Sequence, residues 1–129
     1  MNPDCVRDIL LTVEEHCDFN TEWCYEQNNP SDERLNKYSN DEVRYHIRQC
    51  GYADLLIVEA SQYINGDLIV KDLAPAGHKF LENMRQDTIW NNTKSIASKI
   101  GSKSLDALVQ ISSNVITELI KAQFGLTGA

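Results

Sequence analysis

Residues 38–57 read YSNDEVRYHIRQCGYADLLI, and how this stretch folds decides the architecture. Ser39 and Glu42 have capping-box spacing, in which the hydroxyl takes the N–H three residues on and the carboxylate reaches back. Val43, Ile47 and Cys50 follow at helical spacing and predict an amphipathic helix with one buried face. Gly51 is the natural residue to close that helix, because glycine adopts the left-handed conformation without penalty. Beyond it, Leu55–Ala60 and Asp67–Leu73 are rich in Leu, Ile and Val and predict two strands. Asn65-Gly66 between them has the chemistry of a type I′ turn, so the strands should form a hairpin.

Upstream, Asn2 and Pro3 mark another helix start, followed by Val6, Ile9, Leu10 and Val13 on one stripe. This helix should end near His16–Asp18. Thr21–Glu26 could be a short extended piece, and Gln27–Glu33 is a loop by composition. Downstream, Pro75 opens a helix that buries Phe80, Leu81 and Met84. A further helix runs from Thr88 to about Ile100 and stops at Gly101. The last helix, Ser104–Phe124, carries Leu105, Leu108, Val109, Val115, Ile116, Leu119, Ile120 and Phe124 on a broad stripe.

This order of helix, acidic connection, helix, hairpin and helices predicts an α+β chain, mainly α. Its known solution is a winged helix-turn-helix with a two-stranded wing and extra C-terminal helices. The expected organisation is a winged-helix domain over 1–87 and a helical extension over 88–129. The quoted stretch is similar to the "ser-x-x-glu-val-x-x-his-ile … gly-leu-ile" run of many winged-helix proteins. Residues 72–81, DLAPAGHKFL, resemble the "leu-thr-x-x-gly-his-x-phe-leu" block that follows the wing. With Asp87-Thr-Ile-Trp90 after it, the chain resembles a family of small uncharacterised winged-helix proteins of bacteria, phages and prophages, over roughly residues 3–125. That resemblance implies a fold and no activity. Two departures stand out: Ala74 replaces the expected hydroxyl N-cap, and Asp54 stands where the family turn has glycine.

The net charge is −7, and it is not evenly spread. Residues 1–36 hold nine acids and two bases, whereas residues 37–129 hold ten of each. Nucleic-acid binding through the N-terminal end is therefore disfavoured, because phosphate recognition needs clustered Lys and Arg. No apolar run is long enough for a membrane span, and the first twenty residues lack the pattern of a secretory signal. With four cysteines in a chain large enough to fold without staples, reduced thiols and a bacterial cytoplasm are the expectation.

The first candidate site is the outward face of the 40–51 helix, where Arg44, Tyr45, Arg48 and Gln49 have the side-chain types that read base edges and phosphates. The wing tip, residues 61–67, has no base, which counts against the usual wing contact with DNA. Arg85, Lys94, Lys99 and Lys103 make a modest basic segment. A protein-binding alternative rests on Glu14, Glu15, Asp18, Glu22 and an exposed Tyr63. The C-terminal helix offers a dimer face through Leu108, Val115, Leu119 and Phe124. His16, Cys17 and Cys24 invite zinc but lack the knuckle spacing, so neither metal nor cofactor is expected. His46 and His78 read as packed, hydrogen-bonded side chains. No catalytic constellation is visible, so an enzyme is the least supported class. Two functions follow as expectations: a phage- or prophage-type DNA-binding transcriptional regulator, or an acidic adaptor or inhibitor that binds protein and no DNA.

Overall fold

The computed structural model describes residues 1–26, 32–59, 67–102 and 104–125. The expected Asn65-Gly66 turn, Tyr63 and Lys103 lie outside them. The chain is α+β and mainly helical, and it packs as two units, Asn2–His78 and Lys79–Ala129.

In the first unit, helix α1 (Pro3–His16) begins as its sequence predicts. The Asn2 side-chain oxygen accepts the N–H of Asp4 at 3.1 Å and of Cys5 at 3.4 Å. Cys5, Val6, Ile9, Leu10 and Val13 form its buried stripe. Helix α2 (Asn40–Tyr52) starts at Ser39, whose hydroxyl accepts the Glu42 N–H at 3.1 Å. The other half of the expected capping box is diverted. Glu42 Oε1 instead accepts Asn2 Nδ2 at 3.0 Å, which ties the two helix starts together. His46 completes the tie, taking the Asn2 N–H on Nε2 at 2.9 Å. Its Nδ1 lies 2.7 Å from the Glu42 carbonyl, so the proton sits on Nδ1.

The expected hairpin proves to be two-thirds of a sheet. Strands β1 (Trp23–Tyr25), β2 (Leu56–Glu59) and β3 (Leu68–Leu73) form a three-stranded antiparallel sheet in the order β1-β3-β2. Trp23 and Tyr25 both turn into the core while Cys24 faces the other way, the period-two pattern of a half-buried strand. On the opposite edge Val58 pairs with Val70 and Glu59 with Ile69, after a register shift between Ile57 and Val58. The bulge explains why the buried positions of β3 run Leu68, Val70 and then Leu73.

Helix α2 does not end at Gly51, as expected, but runs to Tyr52. The left-handed residue is Asp54, at φ 59°. Its N–H donates to the Gly51 carbonyl at 3.1 Å, and the Leu55 N–H to the Cys50 carbonyl at 2.9 Å. These two bonds make a Schellman motif one turn later than glycine placement alone suggests. Asp tolerates the left-handed region better than most residues, yet glycine tolerates it without penalty. Replacing Asp54 by Gly is therefore expected to stabilise the fold by about 0.5–1 kcal/mol, read as a raised urea midpoint at unchanged slope. At the other chain break from family pattern, Asp72 Oδ1 accepts the Leu73 N–H at 2.8 Å, just before helix α3 (Pro75–Met84).

The second unit is a helical hairpin with the end of α3. Helix α4 (Asp87–Ile100) closes on Gly101 at φ 72°, and helix α5 (Leu105–Gln123) starts on the Ser104 hydroxyl. Trp90 is the largest fully buried side chain, set edge-on to Phe80 at 6.4 Å between ring centroids. Leu105, Leu108, Ile111 and Val115 are buried along α5. The stripe does not stay buried to its end: Leu119 is 47% and Phe124 72% exposed. None of the described helices is long and apolar enough to cross a membrane.

Candidate functional site

Asp41, Tyr45, Arg48 and Tyr52 stand at i, i+4, i+7 and i+11 along α2, so they form one outward stripe opposite Val43, Ile47 and Cys50. All four are exposed, Tyr52 most among the aromatics of the helix at 75%. The Arg48 guanidinium lies 5.7 Å from the centre of the Tyr45 ring, a cation–π spacing that holds both side chains outward. Arg44 flanks the stripe. Its guanidinium is 3.7 Å from the almost fully exposed Asp41, a long ion pair worth a few tenths of a kcal/mol. Arg44 Nε is buried with no hydrogen-bond partner among the described residues, while the side chain as a whole stays one-third exposed. Gln49, on the other flank, is half-buried.

Two hollows adjoin the stripe. One, of about 330 Å³, is bounded by Asp41, Arg44, Tyr45, Arg48 and Leu68. The other, of about 360 Å³, lies between Arg48, Tyr52, Asp54, Ile57 and Ala74. Arg48 borders both. Alternating guanidinium and phenol groups can pair phosphates and stack on planar rings, and Ile57, also exposed, adds an apolar edge. The rest of the unit fixes where this face points. Tyr25 Oη donates to Asn40 Oδ1 at 2.7 Å, fastening β1 to the start of α2, while Asn2, Glu42 and His46 fasten α1. Of the site residues read from the sequence, Arg44, Tyr45 and Arg48 share this face. Tyr52 was missed, because a helix closing at Gly51 leaves it in a turn.

The acidic residues are partly neutralised within the fold. Arg34 holds Glu15 bidentately at 2.7 and 2.9 Å and reaches Asp32 at 3.2 Å. That hydrogen bonding holds the Glu15 carboxyl below its ordinary value. Asp8 takes Lys37 at 3.1 Å and the Tyr38 hydroxyl at 2.7 Å. Burial, then the bond to Asp8, pushes the Tyr38 phenol well up. Glu14, Asp18 and Glu22 are exposed. Between the last two, a tight turn is closed by the Asp18 N–H to the Thr21 carbonyl at 3.1 Å, and it holds Phe19 fully in solvent. The sequence pattern carried no signal for that exposed ring.

Glu15, His16 and Asp32 bring three ligand atoms within 4.8 Å of one another, with Arg34 already on both carboxylates. Cys17 and Cys24 do not belong to that group. All four thiols are free. Burial pushes Cys5 and Cys50 up to about 12, and raises Cys17 and Cys24 less far. A raised thiol is bound more tightly to its proton in the folded state. Its contribution is therefore complete below the ordinary value of 9.0 and is lost as pH rises towards 12. Each such thiol contributes a slope of about 1.4 kcal/mol per pH unit over that window. The fall in stability between about pH 9 and 10.5 should therefore be about 2 kcal/mol smaller in Cys50→Ala than in the parent chain. Urea titrations at the two pH values decide it, an equal fall in both proteins being the contrary result.

His46 is buried with both ring nitrogens engaged, as expected, whereas His78 is exposed on α3 rather than packed. In the second unit Leu108 is fully buried and Val115 nearly so, and Leu119 and Phe124 are the exposed ones of the expected dimer residues.

No solved structure matches the chain. It is 28% identical over 121 residues to an uncharacterized protein of Haemophilus influenzae, across 92% of this chain and 97% of that one. The likeness therefore extends over nearly the full length of both proteins. A family model described as "Hypothetical protein (DUF2513)" matches residues 1–104, everything up to the start of α5, and the chain belongs to that family.

Proposed function

We propose that this chain is a winged-helix protein that binds DNA through the outward face of α2, a non-catalytic regulator of transcription. The phage- or prophage-type role rests on the motif resemblance in residues 38–57 and 72–81, and the cytoplasmic setting on reading the four cysteines as reduced thiols. The fold reading is supported by the chain order α1, β1, a single 3-10 turn at Glu33–Leu35, α2, β2, β3 with β3 central in the sheet, the connectivity of a winged helix whose helix before the recognition helix is reduced to one turn. In that arrangement α2 takes the place of the recognition helix. The single observation that carries the function is the stripe Tyr45, Arg48 and Tyr52 with Arg44 beside it: cations and planar rings on the one helix a winged helix presents. Arg44 and Arg48 would serve phosphates or guanine edges, and the tyrosines would pack on sugar or base. Replacing Arg44 and Arg48 together by Ala should weaken duplex binding about 100-fold and reduce the salt slope by about 2. Fluorescence anisotropy with a labelled mixed-sequence duplex, at low and rising salt, measures both. Absence of binding at low salt, or a double variant that binds like the parent, sinks the proposal.

Phe19 favours a second reading. A fully exposed aromatic ring on a closed turn, with Asp18 and Glu22 at its sides, has the form of an anchor for a basic, apolar-lined protein surface. On this reading the chain is an acidic adaptor or inhibitor. Of the acids first assigned to such a surface, Glu15 is already held by Arg34, while Asp18 and Glu22 stand exposed on either side of Phe19. Binding to a basic partner that survives the Arg44 and Arg48 changes but fails in Phe19→Ser would favour this reading over DNA.

A further inference from the structure

Along the seam of α4 and α5 lies an apolar groove of about 450 Å³, floored by Ile96, Ile111, Val115 and Leu119. Its charges are not evenly placed. Lys99 borders it on α4 and Glu118 on α5. Only residues 101–104 join the two helices, so these neighbours run antiparallel. Lys99 therefore stands beside the connection. Glu118 stands thirteen residues past the start of α5, roughly 20 Å further along at the helical rise. The groove's own lining thus has a cation at one end, an apolar middle and a carboxylate at the other. Lys121 stands 3.6 Å from that carboxylate, an exposed and therefore weak i,i+3 pair that a partner's Lys99 can displace.

We propose that the occupant of this groove is a second copy of the same chain. A two-fold axis perpendicular to the groove at its middle lays one apolar floor on the other. The same rotation brings Lys99 of each copy to Glu118 of its partner, twice over. A surface with opposite charges at its two ends is complementary to itself under that operation, which no uniformly charged groove would be. The apolar exposure agrees: Ile96, Ile100, Leu119, Ile120 and Phe124 are five of the ten large hydrophobic side chains that stand exposed among the described residues. The size is also sufficient. A hairpin face the length of α5, nineteen residues or about 28 Å, and two helices wide presents several hundred Å² on each copy. That approaches the roughly 800 Å² per partner of a standard interface. The dimer does not depend on what α2 binds.

Sedimentation velocity on the full chain tests it. A chain of 14.6 kDa should run as a species of about 29 kDa at roughly 100 μM, a concentration at which standard-size interfaces are populated. Leu119→Glu, at a position already in solvent, should weaken the dimer at least about tenfold without changing the circular dichroism spectrum. Lys99→Glu should weaken it comparably, because two glutamates then face each other. Adding Glu118→Lys should restore the parent affinity to within about threefold, since the swapped ends are again complementary. A chain that stays monomeric at that concentration overturns the proposal, including the case in which the groove takes a helix of another protein. A dimer indifferent to these changes, or one the double swap fails to restore, overturns it equally.

Discussion

Gly77→Ala is expected to destabilise the protein by about 4 kcal/mol, lowering the thermal midpoint by roughly 15 °C. The reason is a backbone contact. A Cβ at position 77 would lie 2.0 Å from the Leu55 carbonyl oxygen and 2.9 Å from its carbon. That carbonyl cannot swing aside, because it accepts the Ala74 N–H at 3.0 Å, immediately before α3. Its residue also closes the Schellman motif after α2 through the bond to Cys50. Relief therefore requires the start of α3 to move away from the α2–β2 connection. Overpacking usually costs about 1–3 kcal/mol and occasionally more, and the larger cost applies where the obstructing atom is backbone at 2.0 Å. Gly51→Ala is the contrast. There the new Cβ meets only the Val58 side chain, Cγ2 at 3.2 Å, and gains helix propensity in the last turn of α2. Its net change should stay within about 1 kcal/mol. Thermal melts of the two variants against the parent check both values. A Gly77→Ala protein that melts with the parent would show that α3 does not press on Leu55.

Trp90→Ala should cost about 3–5 kcal/mol in the second unit. Trp90 is 1% exposed, sits edge-on to Phe80, and carries the Lys94 ammonium 5.7 Å from its ring. Around it Ile89, Thr93 and Ala97 complete the buried face of α4. Truncation would remove the ring's burial and leave a cavity that small neighbours such as Ala97 cannot fill. Trp90→Phe, which keeps an aromatic plate against Phe80, should recover much of the loss. Urea unfolding of the three proteins gives the comparison. Equal midpoints for Trp90→Ala and the parent would remove Trp90 from the core of that unit.

The elements legible in the sequence were those with both a start signal and a long period. Asn2-Pro3, Ser39 with Glu42, and Ser104 each placed a helix start, and the structure uses each as a cap. Apolar spacing likewise named the buried faces of α1 and α2. What escaped was decided by partners distant in sequence. Strand β1 falls inside the Thr21–Glu26 stretch read as extended, but its place in the sheet, with Trp23 against Val70 and Tyr25 against Leu68, is not legible in three residues. The end of α2 escaped because glycine was read as the stop. Gly51 instead lies against Val58, and Asp54 makes the left-handed turn. That one-turn error also hid Tyr52. The −7 charge was located correctly in residues 1–36, but pairwise geometry could not be read from it. Arg34, nineteen residues from Glu15, neutralises part of that charge in place. Along α5 the apolar stripe named Leu108, Val115, Leu119 and Phe124 together as a dimer face, because a stripe shows which side is oily and not how far it is covered; Leu108 and Val115 are buried, and Leu119 and Phe124 exposed.

The account rests on α2 presenting its Arg and Tyr stripe to DNA, and backbone amide shifts of the labelled full-length chain during titration with a mixed-sequence duplex at low salt test it most directly. Shifts are expected to concentrate between Asp41 and Tyr52, extend to Ile57, and fade as salt is raised. Shifts confined to the Glu14–Glu22 region, or none at any duplex concentration, would contradict it.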